Sequence, residues 1–156
     1  MTAFVLAAFL LGLVAGLRAM TAPAVVAWAA SLGALGAIEG WFAFMAWRWT
    51  APLATALAVG EWISDQLPST PSRKVPVQFV TRLLTGTLSG GTLGAVVGSP
   101  FVGICAGVAG SVIGTHAGAW ARSKLARSFG RDRPAAILED AAAVLIGLAA
   151  IFLFNS

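Results

Sequence analysis

The sequence predicts an all-α protein, a polytopic transmembrane bundle of about six helices, of which several are short or broken. The first observation is composition: 58% of the 156 residues are hydrophobic and 10% are charged, with a mean hydropathy of +0.87. A chain of this composition has too little polar surface to cover a domain in water. We therefore expect a single transmembrane domain over residues 1–156, located in the cell inner membrane with multiple passes.

The second observation is a four-residue spacing of glycines in the middle of the chain. These glycines are Gly86, Gly90, Gly94 and Gly98, followed by Gly103, Gly107, Gly110, Gly114 and Gly118. In water each interior glycine costs a helix about 1 kcal/mol relative to alanine. In a bilayer the same spacing lets two helix backbones approach closely. The pattern predicts glycine-zipper contacts between tightly packed membrane helices.

Six apolar segments provide the predicted helices. They cover residues 3–17, 22–38, 45–64, 82–98, 101–121 and 134–154. Several are shorter than the roughly 20 residues that cross a hydrocarbon core, so we expect some to be tilted, broken or half-buried. Pro23 and Pro100 mark breaks, and the three prolines of residues 66–76 indicate a loop. No Lys or Arg precedes the first segment, so we expect a retained helix and not a signal peptide.

Basic residues flank two of the connections. Arg73, Lys74 and Arg82 flank one, and Arg122, Lys124, Arg127, Arg131 and Arg133 flank the other. By the positive-inside rule both connections face the cytoplasm, and both termini face the opposite side. The net charge of +4 is explained by these topology signals, so no nucleic-acid partner is expected.

This topology divides the chain into halves, residues 1–74 and 82–156, that have opposite orientations and three segments each. Such halves are the arrangement of a 3+3 inverted repeat. A shift of 82 residues aligns Leu11-Gly12 with Leu93-Gly94 and Pro52 with Pro134. A chain rich in Ala, Gly, Leu and Val also produces such matches by chance, so the repeat and its absence both stay open.

Six ionisable residues in the apolar segments or at their cytoplasmic ends are predicted to meet in one polar pocket in the cytoplasmic half. They are Arg18, Glu61, Asp65, His116, Glu139 and Asp140. An isolated charge at membrane depth is expensive, so these groups should find one another or a water-filled cavity. Arg18 would then pair with Glu61 or Glu139, and the other carboxylates would be left to bind a cation or a proton.

Each of these residues also has a purely structural interpretation. Asp65 can be interfacial, and Glu139 and Asp140 can offset the positive end of the last helix. Arg18 and Arg82 can extend to lipid phosphates. In that interpretation Arg73, Lys74 and Arg82 contact anionic headgroups.

Signatures of catalysis are scarce. The sequence contains no phosphate-binding P-loop, no GxSxG nucleophile motif and no Cys-His pair with the spacing of metal ligands. We therefore do not expect an enzyme or a cofactor. The carboxylates and His116 could hold a divalent cation through oxygen ligands, which composition alone does not decide.

Three motifs carry a resemblance to a known family. They are residues 16–23 (GLRAMTAP), residues 61–73 (EWISDQLPSTPSR) and residues 138–141 (LEDA). With the glycine-rich middle, the chain resembles a bacterial family of small multi-pass integral membrane proteins catalogued only as a domain of unknown function. The resemblance implies a helical membrane protein and carries no established activity or ligand.

Two classes of function follow from these observations. The first is a small transporter or channel that moves a cation or proton through the charged pocket. The second is a non-transporting membrane scaffold or anionic-lipid-binding protein. Membrane lipids are the expected partners in either case, together with further copies of the chain, for example in a homodimer.

Overall fold

A computed structural model of the chain describes residues 2–65 and 75–156. Its regular elements are α1 (Thr2–Leu17), α2 (Thr21–Ser31), a 3₁₀ segment (Gly40–Ala46), α3 (Thr50–Ser64), α4 (Pro76–Val96), α5 (Pro100–Phe129) and α6 (Asp132–Phe154). The described residues contain no strand. The predicted all-α class is confirmed.

Two predicted segments are shorter in the structure. The segment predicted over residues 22–38 stops being helical at Ser31, and that predicted over 45–64 becomes α-helical only at Thr50. Between them Gly33, Gly36 and Gly40 adopt positive φ angles of 76°, 72° and 66°. L-residues with a side chain rarely adopt this conformation, so these glycines allow the chain to leave α2.

Local chemistry sets the ends of two other helices, of which α4 is longer than predicted. Helix α4 begins at Pro76, six residues before the expected start, because proline is favoured in the first helical turn. Helix α5 runs on to Phe129, where Gly130 adopts a left-handed conformation with φ 64° and ends it.

Helices α1, α4 and α5 pack so closely that their backbones touch at glycines. A Cβ atom added to Gly12 would overlap the backbone of Gly107, and one added to Gly107 would overlap the carbonyl of Gly86. The same holds between Gly90 and Gly103. This close approach explains the repeated glycines, because at each of these positions a neighbouring backbone occupies the space that a side chain would need.

These contacts also fix the direction of the helices. Gly12 meets Gly107 and Gly16 meets Gly114, so α1 and α5 run parallel, whereas Gly86 meets Gly107 and Gly94 meets Pro100, so α4 runs opposite to α5. The indole of Trp28 bonds to Thr55 and that of Trp62 to Thr21, so α2 and α3 are antiparallel.

One end of the bundle therefore collects the ends of α1, α3 and α5 and the starts of α2, α4 and α6. We call it the charged end, because the ionisable residues described in the next subsection lie there. The 3₁₀ segment lies toward the opposite end, where Phe42 fills the space beside Gly91 in the second half of α4.

The interior is built from small side chains and the surface from large apolar ones. Among the fully buried residues alanine is the commonest, with Ser89, Ser111 and Thr115 beside it. Leucine, valine, isoleucine, phenylalanine and tryptophan are exposed along α3, α4, α5 and α6. In the described part of the chain, α5 and α6 are each long and apolar enough to cross a membrane.

The backbone contact at Gly107 generates a prediction. Gly107→Ala should destabilise the protein by about 1–3 kcal/mol, because the added methyl group forces α4 and α5 apart. The measurement is the midpoint of thermal unfolding, followed by circular dichroism of the purified protein.

The matched control is Gly60→Ala, since Gly60 lies within α3 and an added Cβ meets nothing within 4 Å. That change should be neutral or should stabilise the helix by up to about 1 kcal/mol. Equal midpoints for the two variants would contradict the packing described here.

Candidate functional site

A network of ion pairs joins the helices at the charged end, and we call it the charged layer. Its members are Arg18, Glu61, Asp65, Arg82, Arg122, Asp132, Glu139 and Asp140. They come from the C-terminal end of α3, from α4, α5 and α6, and from the turn between α1 and α2. Because alternate helices start and end at this level, residues far apart in sequence are brought together.

Arg18 lies at the centre of the charged layer and is completely buried. It occupies the turn after α1, where its Nη1 atom lies 2.5 Å from Oδ2 of Asp65 and its Nε atom lies 2.5 Å from Oδ1 of Asp140. The guanidinium thus ties the end of α3 to the start of α6. Its Nη2 atom is buried and has no hydrogen-bond partner within residues 2–65 and 75–156.

Glu61 stabilises the start of α2 from a neighbouring helix. Its Oε1 atom accepts a hydrogen bond from the backbone N–H of Ala19 and its Oε2 atom from that of Met20, both at 2.9 Å. The first N–H groups of a helix have no partner within the helix and carry its partial positive charge. The carboxylate satisfies two such donors in the turn that leads into α2.

Arg82 acts on the same turn with the opposite charge. Its Nη1 atom donates to the carbonyl oxygens of Gly16 at 2.8 Å and Leu17 at 2.7 Å, which close the last turn of α1. Its Nη2 atom lies 3.6 Å from Oε1 of Glu61. The break between α1 and α2 is therefore held by an anion on its amides and a cation on its carbonyls, and these two groups pair with each other.

Arg122 extends the charged layer toward α5 and α6. Its Nη1 atom lies 2.5 Å from the Asp65 oxygen that also binds Arg18. Its Nε and Nη2 atoms donate to the two carboxylate oxygens of Asp132 at 3.0 and 2.6 Å. Oε2 of the buried Glu139 lies 3.5 Å from Nη1. One side chain on α5 thus contacts carboxylates from α3 and α6.

The structure brings together five of the six residues predicted to share a pocket, namely Arg18, Glu61, Asp65, Glu139 and Asp140. The prediction paired Arg18 with Glu61 or Glu139, whereas the ion pairs of Arg18 in the structure join it to Asp65 and Asp140.

His116 lies outside the charged layer. It does turn away from the glycines of α5, but toward the protein surface, where it is exposed and its ring centroid lies 6.1 Å from that of Phe79. Because His116 lies between Gly114 and Gly118, its side chain points away from the helices that the glycines of α5 contact. On α5 that direction leads to the protein surface.

The three residues predicted to contact lipid headgroups differ in their outcome. Arg82 is 2% exposed and bonds to backbone carbonyls, so its guanidinium does not face a headgroup layer. Arg73 and Lys74 lie outside the described residues.

Arg122 and Asp132 are members of the charged layer that sequence reasoning missed. The sequence indicates Arg122 only as one of the basic topology residues beside the α5–α6 turn, whereas in the structure it pairs with Asp65, Asp132 and Glu139. The available signal was Asp132 itself, the one acidic residue among the five basic ones of residues 122–133, in the first turn of α6.

The charged layer consists of carboxylates paired with guanidinium groups. Every carboxylate of the charged layer lies within 3.6 Å of a guanidinium nitrogen. In the part of the chain that the structure describes, no three His, Cys, Asp or Glu side chains are grouped to hold a metal ion. A cavity of about 290 Å³ lies beside the charged layer, between α5 and α6, and Arg122 and Glu139 contribute to an otherwise apolar wall.

Comparison with protein-family models, with curated proteins and with solved structures finds no match to this chain.

The buried position of Arg18 generates a prediction. Arg18→Gln should destabilise the protein by about 3–5 kcal/mol, because it leaves Asp65 and Asp140 without the charge between them. The measurement is the thermal unfolding midpoint.

Arg127→Gln is the control, since Arg127 is exposed on α5 and bonds to Ser123 one turn earlier. Exposed interactions of this kind contribute less than about 1 kcal/mol. If Arg18→Gln unfolds at the same temperature as Arg127→Gln, the ion pairs of Arg18 do not stabilise the fold.

Proposed function

We propose that the chain is a multi-pass integral membrane protein of the inner membrane in which all six helices α1–α6 cross or enter the bilayer. The distribution of side-chain size supports this, because large apolar residues face outward and small residues face inward. A protein in water buries large apolar residues and rarely exposes wide apolar surfaces. In lipid the large residues contact acyl chains, and helix contacts rely on small residues.

Tryptophans add support at both ends of the bundle. Trp41, Trp47 and Trp49 are exposed toward the end opposite the charged layer, and Trp120 is exposed on α5 near the charged end, where Lys124 lies 5.0 Å from its ring centroid. Indole rings favour the two membrane–water interfaces. Exposed tryptophans near both ends are therefore consistent with a bundle that has a membrane–water interface at each end.

The exposed basic residues indicate the orientation. Lys124, Arg127, Arg131 and Arg133 are all exposed around the turn between α5 and α6. The positive-inside rule then puts the charged end in the cytoplasm and both termini on the opposite side. A 3+3 inverted repeat is compatible with the alternating directions, although α2 has 11 residues and its counterpart α5 has 30.

This orientation can be tested by cysteine labelling in whole cells on a Cys105→Ser background. Ser128→Cys should react with a membrane-impermeant maleimide only after lysis, because Ser128 lies on the exposed basic part of α5. The matched variant Ser156→Cys should react in intact cells. The reverse pattern would invert the topology, and labelling of both in intact cells would indicate insertion in two orientations.

For the activity, we propose a non-transporting scaffold that binds anionic lipid, the second of the two classes raised by the sequence. The observation that carries this is the state of Glu61, whose two oxygens are taken by backbone amides of the turn between α1 and α2. A cation at Glu61 would have to compete with these two N–H groups and with the positive charge of Arg82, whose Nη2 atom lies 3.6 Å from Oε1. The backbone contacts among α1, α4 and α5 also leave these helices little freedom to move apart.

The lipid contacts in this proposal fall on the exposed cations around the α5–α6 turn. Arg82 is buried and Arg122 is paired with three carboxylates, so neither supplies a headgroup site. Lys124, Arg127, Arg131 and Arg133 face outward instead. Each basic residue near an anionic membrane surface contributes about 1 kcal/mol.

Transport of a cation or proton is the second candidate. One observation favours it: a single oxygen of Asp65 lies 2.5 Å from both Arg18 and Arg122. Movement of α5 away from α3 would separate Arg122 from this oxygen and change the charge balance around Asp65. Such a rearrangement is the kind of step that alternating access needs.

The scaffold proposal predicts stabilisation by anionic lipid. Phosphatidylglycerol added to the protein in mild detergent should raise the unfolding midpoint more than phosphatidylcholine does. Neutralising Lys124, Arg127, Arg131 and Arg133 to Gln should remove most of this difference, because these four exposed cations provide the attraction. Arg48→Gln is a control, since Arg48 lies near the opposite end and stacks on Trp49.

A measurement of ion flux distinguishes the scaffold proposal from transport. Liposomes that contain the wild-type chain should be no more permeable to H⁺, Na⁺ or K⁺ than liposomes without protein, with an added ionophore as the positive control. Flux in the wild type that falls in Glu61→Gln would overturn the scaffold proposal in favour of transport.

A further inference from the structure

His116 is a polar, ionisable side chain on the outer surface of the bundle. It is exposed on α5 beside Phe79, and it makes no hydrogen bond or ion pair with any residue of 2–65 and 75–156. In water such an imidazole needs no partner in the protein, because solvent satisfies both of its nitrogens. In the bilayer proposed above, acyl chains offer no hydrogen bond, so an imidazole on this surface requires a polar partner.

The position of His116 along α5 places it below the membrane–water interface. Trp120 follows one helical turn later and is exposed, and Lys124 lies 5.0 Å from the Trp120 ring centroid. Four helical residues rise by about 6 Å, so His116 lies about 6 Å deeper than the tryptophan assigned to the interface. A lysine reaches the interface from such a depth through its long stem, whereas the short stem of histidine does not extend that far.

The surface of α5 around His116 has the residue spacing of a helix–helix contact. Cys105, Ala109, Val112 and His116 are separated by 4, 3 and 4 residues, and we call this set the outer seam. Three of the four are exposed and Val112 is half-buried. The spacing is that of the heptad positions at which two helices pack side by side with a left-handed crossing, the commoner crossing in membranes.

The outer seam is available to a partner helix. It lies on the side of α5 opposite the glycines, which contact α1 and α4. Cys105 and Ala109 have small side chains, which allow a second helix backbone to approach closely. Packing on the outer seam therefore leaves the glycine contacts and the charged layer unchanged.

The chemistry of the imidazole indicates which partner fits. A neutral imidazole has one donor and one acceptor nitrogen, so one imidazole can donate to another. In a two-fold symmetric dimer a residue beside the axis lies opposite its own copy. A second copy of the chain thus supplies the missing hydrogen-bond partner at the required depth. A polar side chain at a single heptad position also fixes the register of the two helices.

We propose that two copies of the chain associate side by side, in the same orientation, through the outer seam, with their His116 side chains hydrogen-bonded to each other. The inference rests on the proposed location in a bilayer, because only there does the exposed imidazole require a partner. It goes beyond the scaffold proposal, since it identifies the partner and the surface of contact. The dimer also places the exposed cations of two α5–α6 turns on the same side of the membrane.

Disulfide crosslinking in native membranes tests the contact surface. Cys105 is the only cysteine of the chain, and oxidation with copper phenanthroline should convert the wild-type protein to a covalent dimer. A disulfide needs a Cα separation of about 4.4–6.8 Å, which a close contact along the outer seam provides. Ala109→Cys on a Cys105→Ser background should crosslink as well, because Ala109 lies one turn farther along the same seam.

Leu84→Cys on the Cys105→Ser background is the matched control. Leu84 is 63% exposed on α4 and precedes by two residues Gly86, which faces α5, so it points away from the outer seam. This variant should remain monomeric under the same oxidation. Equal crosslinking of Leu84→Cys, or no crosslinking through Cys105 and Ala109→Cys, would overturn the inference.

The contribution of the imidazole is measured separately in phosphatidylcholine liposomes, a lipid without net charge. Association of full-length copies is followed by energy transfer between fluorophores on Ser156→Cys in the Cys105→Ser background. His116→Leu should weaken association about 3- to 30-fold, the range expected for one interhelical hydrogen bond in a membrane. His116→Gln retains a donor and an acceptor and should associate more tightly than His116→Leu.

The outcomes separate this inference from the membrane location on which it rests. Equal association of the wild type and His116→Leu would overturn the paired imidazoles, and a wild-type chain that stays monomeric in liposomes would overturn the dimer. Either result leaves the protein integral to the membrane. Release of the protein from membranes by alkaline carbonate would instead refute the membrane location itself.

Discussion

The break between α1 and α2 is the constraint on which the rest of the structure depends. Two helices that meet at a sharp turn expose carbonyls at the end of the first and amides at the start of the second. Arg82 satisfies the carbonyls of Gly16 and Leu17, and Glu61 satisfies the amides of Ala19 and Met20. Because Arg82 belongs to α4 and Glu61 to α3, the turn fixes the position of both helices.

Arg18 occupies the same turn and transmits this constraint to the last helix. Its guanidinium lies between Asp65 at the end of α3 and Asp140 in α6. Removing water from three charged groups is costly, and mutual attraction repays the cost only when the geometry is good. The charged layer therefore specifies how the helices meet, while the glycine contacts of α1, α4 and α5 supply close packing.

Much of this arrangement could be predicted from sequence, and the failures have physical reasons. Composition and glycine spacing are sufficient for the all-α class and for close helix contacts, because both depend on residue size and hydrophobicity. The convergence of Arg18, Asp65 and Asp140 follows from the cost of isolated charges. Which charges pair with each other cannot be predicted in the same way. Pairing depends on the rotation of each helix about its axis, and a sequence pattern does not fix that rotation.

Arg82 and His116 illustrate the two kinds of error. A basic residue near a predicted helix start suggests a headgroup contact, but Arg82 donates to backbone carbonyl oxygens. Residue types alone do not indicate which backbone carbonyls are left without a partner. The sequence predicts that His116 points away from the glycines of α5. Whether that direction leads to the interior or to the surface depends on the helices packed against α5, and here it leads to the surface.

The two carboxylates that pair with Arg18 impose an order on biosynthesis. Asp65 follows Arg18 closely along the chain, whereas Asp140 emerges from the ribosome about 120 residues after Arg18, roughly 6 to 24 s later at ordinary rates of translation. During that interval Asp65 can balance the charge of Arg18, but the Nε side of the guanidinium has not yet met Asp140. The last helix to be made thus completes the ion pairs of the first turn, so a chain that ends before α6 lacks the contact that ties the two together.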